Sequence, residues 1–360
     1  MDKMSNSDKK RLFSLFENVD KTEIENRPEK SLNSDVLIID GTNTFIRAFC
    51  ANPALNDDGE HVGGIDGFFK SIGYAIRNLR PTRCIVVFDG KGGSKRRRKI
   101  FPDYKAKRKS RMRLNRIYED MSIPDLESKS VLEQLQKVAI LLQSLPITTM
   151  AIDNIEADDT ISFLCTEALA KDTTESITIM SSDQDFYQLI NDKVKVWSPT
   201  KKKMYGPLEI FNEFGIHSKN YIYYKSLNGD KSDNIDGIKG LGLKTAKKCF
   251  PLLTEEKQLS LDDIINHAKD NRNGKLKLWA KVDESQDILI RNFALMNLME
   301  CEIPTSLMLN IQDMLDIKAE KSNIMSFTQL LKKYRLLGVI KNHHIWMRET
   351  FDVLNCYVNK

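Results

Sequence analysis

Three short runs of aliphatic and β-branched residues punctuate the first half of the chain: VLIID at 36–40, CIVVFD at 84–89 and SITIMSSD at 176–183. Each is apolar at successive rather than alternate positions, which predicts strands buried on both faces of a parallel sheet. Between them, apolar residues recur at helical spacing over about 64–79, 128–145 and 156–170. This alternation predicts an α/β fold, a central mostly parallel sheet flanked by helices. Ligands of such sheets bind at the carboxyl ends of the strands, where Asp40, Asp89, Asp183 and Asp185 fall. Beyond residue 201 the strand pattern fades and short helices take over, with GIKGLGLKTA at 237–246 placing three glycines between two helical stretches. The pattern predicts a mobile polar extension over 1–34, an α/β domain over 35–205 and a helical domain over 206–360.

Composition changes the picture in one place. The 360 residues carry 55 Lys and Arg against 50 Asp and Glu, a balance of +5. Thirteen of those cations lie between Lys91 and Arg116, where Asp103 is the one acid. Outside this stretch acids outnumber bases, and that asymmetry points to a polyanionic partner. The stretch joins the second strand to the helix near 128 and is far longer than a usual βα loop. The six cysteines are scattered without a CxxC pair, which predicts core packing rather than zinc or disulfides. With no run of eighteen apolar residues and no secretion signal, the expectation is a cytoplasmic protein without membrane contact.

Acidic residues carry the candidate chemistry. Asp40, Asp89, the group Glu156, Asp158 and Asp159, then Asp183 with Asp185, and Asp230 with Asp233 all fall at strand ends or helix starts. One or two could be helix caps, but helix dipoles fade within a turn and cannot neutralise nine converging carboxylates. Hard divalent cations resolve the repulsion, and oxygen-only sites select Mg²⁺ or Mn²⁺. Two such ions suit phosphodiester cleavage.

In order and spacing, LIIDGTNTFIRAF, VVFDGKGGSKRRRKIFPDYKAKR, IEADDTI, SSDQDFYQL and NGDKSDNIDGIKGLGLKTA resemble the successive blocks of the 5′-nuclease, or flap-endonuclease, family. Its closest types here are the domain fused to bacterial DNA polymerase I and the stand-alone phage enzymes, including phage ribonuclease H. The resemblance covers about 36–255. It implies a PIN- or FLAP-nuclease-like sheet, a helical arch or clamp over the site at about 91–126, and a helix-hairpin-helix (H3TH) unit at about 225–250.

Carried over position by position, the resemblance implies that Asp40, Asp89, Glu156, Asp158 and Asp159 hold one Mg²⁺ or Mn²⁺ or support its ligands. Asp183, Asp185, Asp230 and Asp233 would hold a second; Gln184 stands where the family often has Lys. Lys105 and Arg97 match the cationic pair that contacts the scissile phosphate, and Arg47 matches a family arginine of similar role. Tyr104 is expected to stack on a base, while Arg96, Arg98, Lys107 and Arg108 guide single strand by charge. Gly237, Gly240 and Gly242 would let the hairpin approach duplex phosphates, helped by Lys244 and Thr245, with K⁺ implied at the hairpin. The hydrophobic RLFSLF at 11–16 either docks on the domain or engages a sliding clamp; a single-strand-binding protein is a further expected partner.

The function so implied is a monomeric, metal-dependent 5′-3′ exonuclease or flap endonuclease in a bacterium or phage-infected host. It would act on branched or 5′-ended DNA and RNA-DNA hybrid, removing RNA primers and 5′ flaps in replication. The alternative is a catalytically inactive or repair-dedicated binder of branched DNA on the same fold. A phosphatase or nucleotide-binding protein would leave the basic stretch and the glycine hairpin unexplained.

Overall fold

A computed structural model describes residues 30–106, 124–171 and 173–358. The expectations for 1–29, including RLFSLF, and for Lys107, Arg108 and the rest of the arch up to residue 123 lie outside the described residues. β1 (Asp35–Asp40) runs straight into α1 (Gly41–Ala51), followed by α2 (Gly63–Leu79), β2 (Arg83–Asp89), the basic α3 (Lys95–Ile100) and α4 (Pro124–Leu142). β3 (Thr148–Ile152), α5 (Ala157–Phe163), β4 (Ser176–Met180), β5 (Val194–Ser198) and β6 (Lys203–Tyr205) complete the sheet region. The order is β3-β2-β1-β4-β5-β6, parallel except for β6, which pairs antiparallel on the edge.

The consecutive apolar residues of the strands serve two cores, because successive side chains point to opposite faces. Val36, Ile38, Ile85, Val87, Ile177 and Ile179 face one side, beneath Ile161 and Leu164. Leu37, Ile39, Cys84, Val86 and Met180 face the other, beneath Phe45 and Phe49 of α1 and Phe68, Phe69 and Ile72 of α2. Each such buried side chain contributes about 1.5–3 kcal/mol. The chain can turn from β1 into α1 without a loop because residue 41 is glycine: a Cβ there would meet Phe88 and Val86 at 2.8–2.9 Å. Strands β3, β5 and β6 and helix α1 are additions to the elements expected from the pattern.

The second half contains α6 (Pro207–Phe214), α7 (Tyr221–Asn228), the two-residue strands β7 (Gly229–Asp230) and β8 (Ile235–Asp236), α8 (Leu243–Cys249) and α9 (Leu261–Asp270). It continues through α10 (Lys277–Glu284), α11 (Gln286–Met296), α12 (Thr305–Asp316), α13 (Ile324–Lys333) and α14 (His343–Asn355). Residues 216–296 share a third core, which also takes in Tyr104. After it the chain returns to the sheet. Ile311 and Leu315 of α12 join the first core, and Phe327, Leu331, Met347 and Phe351 of α13 and α14 join the second. Packing therefore divides the chain differently from the 205/206 boundary: the last helices build the α/β unit. Among the described residues, no helix is long and apolar enough to cross a membrane.

Candidate active site

The parallel sheet delivers its acids to one rim. Asp40 ends β1 and caps α1, accepting from Asn43 N at 3.0 Å and Ser181 Oγ at 2.9 Å. Asp89 ends β2 and accepts from Ala157 N at 2.9 Å, tying the second strand to the first turn of α5. Glu156, Asp158 and Asp159 open α5 after β3. Asp183 and Asp185 follow β4, with Asp185 N donating to Asp183 Oδ1 at 2.9 Å. Asp230 and Asp233 come from β7 and the turn that joins it to β8.

These carboxylates divide into two electrically different groups. Glu156 accepts from four donors: Lys105 Nζ and Ser94 Oγ at 2.7 Å, Arg97 Nη1 at 2.9 Å and Tyr104 Oη at 3.0 Å. Asp159 holds Arg97 through two parallel bonds of 2.7 and 2.8 Å, and also accepts from Arg96 at 3.2 Å and the Cys301 thiol at 3.2 Å. Burial pushes both carboxyls up, but Lys105 and Arg97 at Glu156, and Arg97 at Asp159, more than offset it; both lie below their usual range.

At Asp40, Asp158 and Asp183 the balance is reversed: the hydrogen bonds of Asn43 and Ser181 to Asp40, the charge of Lys105 near Asp158 and that of Lys225 near Asp183 do not offset burial and the neighbouring carboxylates. Burial first, then the neighbouring charges Asp183 and Asp89, push Asp40 up to about 7. Burial with Asp183 and Asp40 raises Asp158, and burial with Asp233 and Asp230 raises Asp183.

Lys225 of α7, which the sequence pattern does not single out, stands at the edge of this second group. Its Nζ lies 2.8 Å from Asp185 Oδ1 and 2.7 Å from Asp230 Oδ2, and the residue is 8% exposed. Burial alone would lower its pKa; the two aspartates reverse that and raise it. Burial also pushes Asp230 up, but Lys225 more than offsets it and holds this carboxyl below the usual range, whereas Asp185 is pushed up to about 7 by burial and Asp183. The available signal is a single cation inside the apolar run YIYYKSL, five residues before Asp230.

Two expectations for the basic segment are corrected. Arg97 is 2% exposed and its guanidinium is committed to Asp159, Glu156 and the Leu295 carbonyl at 2.8 Å, so it faces the interior instead of a phosphate. Tyr104 is 3% exposed, with its hydroxyl donating to Glu156 and, at 3.1 Å, to Asp233, so its ring offers no face to a base. Lys105 is partly buried, with its Nζ donating to Glu156 at 2.7 Å. Its backbone N–H donates to Asp233 O at 2.9 Å, and its φ of +58° is a left-handed conformation that L residues adopt at a cost. Arg98 is exposed, Arg96 partly so, and Arg47 is half-buried near Asp40. Among the described residues Arg47 Nη1 has no hydrogen-bond partner.

The glycine hairpin joins α7 to α8 by way of β7 and β8. Gly237 has no room for a Cβ, which would fall 2.0 Å from Asn228 O, and Gly240 has φ +102°. Gly242 opens onto free space, and Lys244 beside it is exposed while Thr245 is partly covered.

A family model described as the 5′-3′ exonuclease, N-terminal resolvase-like domain, matches residues 35–215, just over half of the chain. The chain belongs to the 5′-3′ exonuclease family. Among its relatives, the 5′-3′ exonuclease of Bacillus subtilis is 32% identical over 60% of this chain and 69% of its own length. DNA polymerase I of the same organism is 31% identical over 70% of this chain, which spans 26% of that longer protein. The flap endonuclease of bacteriophage T5, solved with DNA and metal ions, superposes with TM-score 0.59 at 20% identity, covering 85% of this chain and 98% of that one. The catalytic core of Rad2, solved with DNA substrate, gives 0.53 at 17% identity over 89% and 93%. These likenesses place the exonuclease-family chain in the flap-nuclease fold.

Proposed function

We propose that the chain hydrolyses phosphodiester bonds at or near the 5′ ends of branched DNA and RNA-DNA hybrid, using divalent ions. One observation carries the reading: at the carboxyl rim of the sheet, Asp40 is buried and Asp158 and Asp183 are partly buried, with all three carboxyls held above their usual range, and Lys105 at the root of the basic segment lies near Asp158. The donor set fits Mg²⁺ or Mn²⁺, being oxygen throughout and carrying more negative charge than Lys225 offsets. Among the described residues no three His, Cys, Asp or Glu side chains are closed up as a formed ion site, so the fit rests on donor chemistry and charge. Asp40, Asp158 and Asp183 would hold the ions, with Asp89, Asp185, Asp230 and Asp233 around them. Bound there, such ions supply an activated water and neutralise the leaving oxygen.

The protein's own groups do the rest. Asn43 and Ser181 hold Asp40 in one orientation, and Lys105 places a cation near Asp158, where phosphate charge develops. Arg97 works from below: it clamps the root of the basic segment to Glu156 and Asp159 and so fixes where Lys105 stands. The hairpin at 237–242 meets duplex backbone without reading sequence.

The test is cleavage of a 5′-labelled flap duplex, in DNA and RNA versions, with Mg²⁺ and with chelator. Metal-dependent products are expected, with none from Asp183→Asn protein that still binds the duplex. Full turnover by that variant, or cleavage in chelator, would sink the proposal. Products cut near the junction would mark a flap endonuclease, and preference for RNA would mark primer removal.

A further inference from the structure

Both the glycine hairpin and α10 lie beyond residues 35–215, which the family model matches, and α10 is fastened to the hairpin. Lys281 Nζ donates to Lys239 O at 2.7 Å, and Trp279 Nε1 donates to Cys249 O, at the end of α8, at 2.7 Å. The Leu278 side chain stands 3.3 Å from where a Cβ on Gly240 would lie. The preceding loop is pressed onto the same unit, because a Cβ on Gly274 would come within 2.7 Å of the Trp279 ring.

Charge on this unit is one-sided. Residues 269–281 carry Lys269, Arg272, Lys275, Lys277 and Lys281 against Asp270, and 237–248 add Lys239, Lys244, Lys247 and Lys248 with no acid. The acids that follow in α10, Asp283 and Glu284, are taken by Arg272 at 2.8 and 3.3 Å. That leaves the start of the helix, beside the hairpin, to its lysines; Lys239, Lys244, Lys275 and Lys277 are all exposed. Trp279 is partly buried with its indole N–H committed, so this surface lacks the free aromatic platform that single-strand binders use. Regularly spaced phosphate charge on a rigid duplex is the polyanion that suits such a rigid cationic ledge.

We propose that the loop at 271–276 and the first turn of α10 form a second phosphate-contacting ledge, so that duplex nucleic acid is gripped by this ledge and the hairpin together. The inference rests on the hairpin being the duplex grip.

Its test is duplex binding in chelator across a salt series, comparing the full chain with Lys275→Ala/Lys277→Ala and, separately, with Lys244→Ala. For every duplex phosphate that a variant no longer neutralises, the slope of log K against log salt becomes shallower by about 0.9. The double variant should therefore be shallower by roughly 2, with an unchanged melting temperature showing that it is folded. An unaltered slope in the double variant, with a shallower one in Lys244→Ala, would overturn the ledge and spare the hairpin. A shallower slope in the double variant alone would overturn the joint grip, leaving the phosphate contact to the ledge without the hairpin. Unaltered slopes in both would overturn both.

Discussion

Arg97 is the residue whose role the structure redefines, and replacing it by Met separates the two readings. As a phosphate contact, it would be dispensable for folding and costly only to turnover. As the buried clamp described above, it compensates two carboxylates at once, through Asp159 Oδ1 and Oδ2 at 2.7 and 2.8 Å and Glu156 Oε2 at 2.9 Å. Removing one partner of a buried ion pair costs about 3–5 kcal/mol, because the other charge is left stranded. Lys105 and Tyr104 still serve Glu156, and Arg96 still reaches Asp159, so the lower half of that range applies, about 3–4 kcal/mol. For a chain of this length the unfolding entropy makes each kcal/mol worth about 1.3 °C. A fall of roughly 4–5 °C in melting temperature is therefore expected, measured by calorimetry with substrate absent. Arg97→Lys should recover only part of it, since an ammonium cannot make the parallel bonds to Asp159. An unchanged melting temperature with turnover lost would refute the clamp and return Arg97 to the phosphate.

Lys225→Met removes the cation between Asp185 and Asp230, so the chelated protein should lose about 3 kcal/mol and gain a larger thermal shift on adding Mn²⁺ than wild type does. Identical shifts in the two proteins would show that Lys225 does not set the charge of that half of the site. The pH dependence follows from Asp40 and Asp185, whose folded pKa values near 7 lie above their ordinary 3.8. Carboxyls raised in this way bind protons on folding, so the stability they contribute is present below the ordinary value and is lost as pH rises through about 7. Glu156, Asp159 and Asp230 are shifted the other way, and their contribution is lost only as pH falls below the ordinary carboxylate range. In chelator the melting temperature should thus drop between about pH 5.5 and 8, and Mg²⁺ should diminish the drop. A flat or rising curve in chelator would contradict the incompletely compensated site.

Much of the fold is legible along the chain. The runs at 36–40, 84–89 and 176–183 read as strands because both faces of the sheet are covered, which makes every position apolar. β5 escapes that pattern because VKVWS carries Lys195 on an exposed position, and β6 because it is a three-residue edge strand. α1 is hidden by its Gly-Thr-Asn opening, residues of low helix propensity that are used here for the close turn after Asp40 and its cap. The nine acids can be picked out because strand ends and helix starts are positions that local pattern locates.

Their division into compensated and incompletely compensated groups cannot be read in that way. Arg96, Arg97 and Arg98 are consecutive and chemically identical, and along the chain nothing distinguishes them. A helix turns each about 100° from the last, so Arg96 is half-covered, Arg97 is inside and Arg98 is in solvent. Likewise Lys225 acquires its partners from the turn after β4 and from β7, and the helices after residue 304 find their cores on a sheet begun at residue 35. Local periodicity and residue identity are enough to specify most of the element types and the side-chain chemistry at the strand ends. Which charges face one another depends instead on the folded arrangement, since burial and opposing partners arise between segments far apart in the chain.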